Sequence, residues 1–243
     1  MTRLEVFPVE GMPEVRAGDD LAALVADRVE LADGDVLVIA QKAVSKAEGR
    51  VVLLADVEPS ERACALAGDD EDPRRLEAIL RESARLVRVR GSFVIAETRH
   101  GFVCASAGVD ASNAGVADAV VLLPLDPDAS ARALRDGIRA RTGRRVGVVV
   151  ADSFGRPWRQ GTTNVAVGAA GLPVLVDHGG RVDATGYELH ATVIAVADEL
   201  AGAAELVMGK LDDVPAAVVR GLRLEGDGRA RDLVMPPERD LFR

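Results

Sequence analysis

Two carboxylates that follow apolar runs are the residues of this sequence best placed to do chemistry. Val146 to Val150 reads as a buried strand, and it delivers Asp152 and the Ser153 hydroxyl at its carboxyl end. Arg156, Arg159 and Gln160 follow within one loop. Carboxylate and hydroxyl oxygens suit a hard cation, and guanidinium groups suit phosphate or carboxylate, which together make a toolkit for phosphoryl transfer. Asp110, after the strand-like Phe102 to Ala105, lies among residues too small to crowd a ligand and beside Ser112 and Asn113. An Asp-initiated turn closed on its own backbone is the structural alternative there. For Trp158, the single tryptophan, a buried anchor for its loop stands beside stacking on a ligand.

Other polar groups follow a turn or a strand. Glu10-Gly11-Met12-Pro13 is a tight turn, and Gln41 to Gly49 places Lys42, Ser45 and Lys46 just beyond a strand, within reach of phosphate oxygens or on a solvated surface turn. No Gly-x-x-x-x-Gly-Lys-[Ser/Thr] loop and no Gly-x-Gly-x-x-Gly after a strand occurs, so a nucleotide site is not of P-loop or dinucleotide-binding type. His190 and Glu188 lack the spacing of a zinc protease, and no Gly-x-Ser-x-Gly elbow supports a serine hydrolase. Asp198 and Glu199 face either the site or water.

The elements that must position these groups read as mixed α/β. Strand-like runs cover Asp35–Ala40, Phe93–Ala96, Phe102–Ala105, Ala119–Leu123, Val146–Val150 and Ala216–Val219. Asp19 or Asp20 caps a helix carrying Leu21, Leu24, Val25 and Val29. Asp72-Pro73 opens another, with Leu76, Ile79, Leu80, Ser83, Leu86 and Val87 along its inner stripe. Helices are also expected from about Asp128 to Arg141, stopped by Gly143, and from about Glu188 to Met208, stopped by Gly209. Three strands without a helix between Ser92 and Leu123 favour an α+β arrangement over a doubly wound sheet. One unit over 1–243 is expected, and, if there are two lobes, the second at about 144–208.

Composition narrows the partners. With 39 acidic against 30 basic residues and 3% aromatics, neither a polyanion groove nor a base-stacking platform is expected, so a small ligand takes the place of nucleic acid. No apolar run approaches the roughly 20 residues of a membrane span. Met1 to Val9 lacks a secretory pattern, and a cytoplasmic protein is expected. Cys64 and Cys104 read as buried, reduced thiols.

Taken together, Asp35 to Arg50, Ser106 to Asn113 and Asp152 to Gly161 resemble the family of coenzyme F420-0:γ-glutamyl ligases, as do Glu5 to Gly11 and the helix end from Ala197 to Gly209. The resemblance implies an unusual α/β ligase fold in an intertwined homodimer; some bacterial relatives carry a second, nitroreductase-like domain, which is not expected within residues 1–243. It implies GTP-dependent addition of L-glutamate to the F420-0 deazaflavin precursor through an acyl phosphate, with further γ-linked glutamates in some members. The implied ions are magnesium or manganese, with potassium as an additional requirement. Asp110, Asp152 and Ser153 match the family's metal ligands, and Arg156 and Arg159 are candidate catalytic cations. Glu10, Gly11, Met12, Pro13, Gln41, Lys42, Lys46 and Asn113 match nucleotide-contacting positions, as does the loop of Met208, Gly209, Lys210, Leu211, Asp212, Asp213 and Val214. Lys210 stands where some relatives carry a Glu or Gln ligand. Either Asp212 or Asp213 substitutes, or the lysine's own charge replaces one metal. A metal-dependent phosphohydrolase and a non-catalytic nucleotide-binding subunit are the competing expectations.

Overall fold

The computed structural model describes residues 3–69 and 71–241, so Met1 and Thr2 of the amino-terminal stretch lie outside the described residues. In chain order the elements are β1 (Glu5–Pro8), α1 (Leu21–Ala26), β2 (Val36–Ala40), α2 (Gln41–Ala47), β3 (Val51–Leu53), α3 (Glu61–Ala67), α4 (Pro73–Glu82), β4 (Ser83–Arg90) and β5 (Phe93–Thr98). They continue with β6 (Val103–Ala105), β7 (Ala119–Val121), α5 (Pro127–Thr142), β8 (Gly147–Arg156), β9 (Arg159–Ala170), β10 (Val176–Asp177), β11 (Val193–Ile194), α6 (Val196–Met208) and β12 (Ala216–Arg220).

The continuous apolar runs of β2 and β8 have their physical reason in the central sheet, whose strand order is β1-β12-β2-β8-β9. β2 and β8 pair in parallel, from Val36 opposite Gly147 to Ala40 opposite Ala151, and both faces of the pair are covered. Leu37, Ile39, Val148 and Val150 pack against α1 and α5 through Val25, Leu134 and Ile138. Val36, Val38, Val149 and Ala151 face the other way, toward Ala197, Leu200, Ala201 and Ala204 of α6. Alternation along each strand therefore builds two apolar layers from one sheet.

Residues 144–208, expected as a second lobe, contribute β8 and β9 to this same sheet. The segment with a core of its own is 51–122, where Leu54, Ala63, Leu76, Ile79, Val94 and Val120 cluster under the small sheets β4-β5-β6 and β3-β7. Among the described residues no helix is long and apolar enough to cross a membrane.

Several expected boundaries shift, each for a local reason. The helix begun at Asp72 ends at Glu82, where the Ser83 hydroxyl donates to the Ile79 carbonyl at 2.6 Å. Leu86 and Val87 lie on β4, because the segment pairs antiparallel with β5 from Ser83 opposite Thr98 to Arg90 opposite Phe93. The long helix starts at Val196 rather than Glu188, since Val193-Ile194 pairs with Val176-Asp177. α5 is capped by Asp126, which accepts from the Ala129 N–H at 2.9 Å, with Pro127 in its first turn. Asp128 instead accepts backbone N–H groups of Ala169 and Ala230, each at 2.8 Å. Cys104 is buried but Cys64 is exposed, because α3 turns Ala63 and Ala67 inward.

Candidate active site

The turn expected at Gln41 to Gly49 is helix α2, entered directly from β2. Gln, Lys and Ala favour helix, and the spacing of four residues stacks Gln41 over Ser45 and Lys42 over Lys46. Ser45 donates to the Gln41 Oε1 at 2.9 Å, which fixes the amide. Gln41 is only 1% exposed, yet among the described residues its Nε2 has no hydrogen-bond partner, and Gln41 lines a cleft of about 580 Å³. A buried donor without a partner is costly unless a ligand accepts from it.

Both lysines line the same cleft, each tethered to an acid. Lys46 Nζ is 2.5 Å from Glu14 Oε1. Lys42 Nζ donates to Asp110 Oδ2 at 2.5 Å, to the Ser112 carbonyl at 2.9 Å and to the Ser112 hydroxyl at 2.6 Å. Asp110 also accepts from the Ser112 N–H at 2.8 Å, so the Asp-initiated turn and the ion pair coexist. Partial burial pushes the Asp110 carboxyl up, but hydrogen bonds from Lys42 and Ser112 and the lysine charge outweigh it and hold the group below the ordinary range.

Asp152 lies inside β8 rather than after it, because the strand runs on to Arg156 and turns back as β9. Its carboxyl is desolvated at the cleft wall, and this burial pushes its pKa up to about 6. The Ser153 N–H and the charges of Lys42 and Lys210 pull the other way, while Asp110 adds repulsion. Asp152 is thus a half-buried, desolvated carboxylate whose negative charge is only partly offset by the protein.

That donor set fits a hard cation. Asp152 supplies an oxygen with uncompensated charge and Ser153 a hydroxyl, whereas Asp110, expected as a ligand beside them, does not line the cleft and its carboxylate is held by the Lys42 ammonium. Among the described residues no three His, Cys, Asp or Glu side chains group to cage a metal, so Ser153, substrate oxygens and water would complete the coordination.

Of the other expected positions, Met12, Pro13, Asn113, Met208, Gly209, Lys210, Asp213 and Val214 line the cleft. Glu10, Gly11, Leu211 and Asp212 do not; the Gly11 carbonyl accepts from Arg28 at 2.7 Å and Leu211 is exposed. Gly209 adopts φ +62°, and a Cβ there would lie 1.9 Å from Asp212 Oδ2, so the loop needs glycine and Asp212 folds back on it. Of the two aspartates that could stand in near Lys210, Asp213 is the one at the cleft. Arg156, Arg159 and Gln160 belong to the tip of the β8–β9 hairpin and do not line the cleft. Arg156 donates to the Gln160 carbonyl at 3.1 Å. Trp158 turns that tip with φ +57° and is 82% exposed, which corrects the expectation of a buried anchor.

Residues 11–221 match the F420-0:gamma-glutamyl ligase family. The chain belongs to that family. It is 50% identical over 248 residues to a Methanopyrus kandleri protein named coenzyme F420:L-glutamate ligase, with 99% of this chain and 97% of the relative covered. Identity to the protein of the same name from Methanothermobacter thermautotrophicus is 46%, covering 99% of both chains. For the Archaeoglobus fulgidus protein of that name it is 45%, covering 99% of this chain and 97% of the relative.

Among the lining residues of this ligase-family chain that the sequence does not mark as site residues are Glu14, Gly115, Asn164 and Glu205. Asn164 faces Ser153 across the β8–β9 pair, a relation that only the hairpin register reveals. Glu205 lies three residues before Met208, and the apolar stripe of α6 hides its role unless β9 is seen beside it. At Gly115 a Cβ would fall 2.6 Å from Glu14 Oε1, so the glycine leaves room for the acid that holds Lys46.

Proposed function

We propose that the protein is a GTP-dependent ligase that forms an amide between L-glutamate and the carboxylate of the F420-0 precursor. The observation that carries this reading is one cleft holding a desolvated carboxylate, Asp152, with the cations Lys42, Lys46 and Lys210, the unpartnered amide donor of Gln41 and the Met208–Val214 loop. A carboxylate is a poor acyl donor to an amine and must be activated. In this reading a precursor carboxylate oxygen attacks the γ-phosphorus of GTP and GDP leaves. The glutamate amine then attacks the acyl carbon, phosphate departs, and the amine loses its proton.

The lysines supply point charges for phosphate oxygens, and their tethers to Asp110 and Glu14 hold them in place before substrate arrives. Gln41 offers its amide hydrogen to an acceptor on the nucleotide. Asp152 and Ser153 would hold magnesium or manganese, whose contribution when bound is to neutralise charge on the transferring phosphoryl group. The chain acts as a homodimer in this reading, and light scattering in solution tests that part.

Incubation with GTP, magnesium and F420-0, with and without L-glutamate, tests the activity. Expected are one GDP per glutamate joined and a product heavier by one glutamyl residue. GTP turnover that ignores both acceptor substrates would instead indicate a phosphohydrolase.

A further inference from the structure

Ser153 has one proton, and where that proton goes decides what its oxygen offers to the cleft. Its Oγ donates to Asn164 Oδ1 at 2.7 Å, directly across the β8–β9 pair. Asn164 is nearly buried, and its Nδ2 donates to Glu205 Oε2 at 2.7 Å. All three residues line the cleft. The chain of bonds has only one consistent direction. A carboxylate accepts and cannot donate, so Glu205 forces the amide nitrogen of Asn164 to face it. The amide oxygen then faces Ser153 and accepts, so the hydroxyl must donate. With its proton committed to Asn164, the Ser153 oxygen turns its lone pairs to the cleft, the form a cation requires.

Glu205 is itself aimed by its helix. Asp198, seven residues earlier on the same side of α6, accepts from the Ala166 N–H of β9 at 2.9 Å. Two acids two turns apart thereby fasten one face of α6 to β9, and Glu205 reaches Asn164 from a fixed distance.

We infer that Glu205, acting through Asn164, is a positioning residue that sets the Ser153 hydroxyl as a donor away from the cation and so prepares its oxygen as a ligand. This inference rests on the assignment of Ser153 to the metal in the proposed function. Outer partners that orient a ligating group commonly contribute about 10–100-fold to metal affinity.

The test is Mn²⁺ binding to the full chain, followed by calorimetry and by the electron paramagnetic resonance signal of free Mn²⁺, with no turnover required. Glu205→Leu and Asn164→Ala break the chain of bonds at its end and its middle, and each is expected to weaken Mn²⁺ binding by roughly 10–100-fold. Glu205→Gln keeps the reach but can donate as well as accept, so it no longer forces the direction of the bonds and is expected to recover only part of that affinity. In a Ser153→Ala background the same two changes are expected to alter affinity by less than about twofold, because the group they orient is gone. Losses of equal size in both backgrounds, or parent-like binding in Glu205→Leu and Asn164→Ala, overturn the inference while leaving Ser153 a ligand. Unchanged Mn²⁺ binding in Ser153→Ala alone overturns the ligand assignment and the inference with it.

Discussion

At Asp152 burial and function pull in opposite directions, and the conflict is measurable. Its folded-state pKa is raised from 3.8 to about 6, so the native chain holds this proton more tightly than the unfolded chain does. The contribution of the group to stability is therefore unfavourable above about pH 6, shrinks as pH falls between those two values, and vanishes below 3.8. In metal-free protein, Asp152→Asn should be more stable than the parent at neutral pH by roughly 1–3 kcal/mol, with no difference in strongly acidic solution. Chemical denaturation at the two pH values checks this, and turnover by the same variant should fall about 100-fold or more. A variant less stable at neutral pH would show that Asp152 is a structural acid. Asp152, Ser153, Lys42 and Lys46 could be read from the sequence because each stands in a short polar run beside an apolar strand. Asn164 and Glu205 could not, since Asn164 is 11 residues from Ser153 and Glu205 a further 41 from Asn164, and no local pattern ties them.

At the scale of elements, strands buried on both faces were the most legible features, since β2 and β8 carry runs of Val, Leu and Ile that have no polar side to show. Helix α2 was hidden by its charges: a short helix with two lysines looks like a surface turn until the acids that face them are known. β4 was read as helix because Leu86 and Val87 continue the spacing of α4, and only the partner strand β5 breaks the tie. The antiparallel partner β9 gives no strand signal in the sequence, since its Gly and Ala residues interrupt the β-formers Thr and Val. Those small residues have a packing reason. A Cβ on Gly168 would lie 2.3 Å from the Pro127 carbonyl oxygen, where α5 begins over the sheet. Gly168→Ala should therefore destabilise the chain by about 1–3 kcal/mol, read as a lower denaturation midpoint with an unchanged denaturant slope. A neutral effect would mean that α5 and β9 do not approach this closely.

On the scale of the whole molecule the cleft lies at a junction. Asn113 and Gly115 come from the segment 51–122 that has its own core, while Gln41, Asp152 and the loop after α6 come from the central sheet. The Lys42–Asp110 pair bridges the two across 68 residues of sequence. GTP with magnesium should therefore slow backbone hydrogen exchange in both 110–115 and 208–214 at once, and protection confined to one of them would contradict a shared nucleotide site. The junction itself was not legible in the sequence, because no linker marks it and the chain crosses between the parts through short turns.

If a carboxylate is activated in this cleft, its oxygen must leave with the phosphate, and isotope transfer reads that step. With F420-0 carrying ¹⁸O in its reacting carboxylate, unlabelled GTP and L-glutamate, attack on the γ-phosphorus sends one labelled oxygen into each phosphate released as an amide forms. One-to-one transfer is the expected result, read by mass spectrometry of the phosphate. Glutamylated product formed with unlabelled phosphate would contradict it.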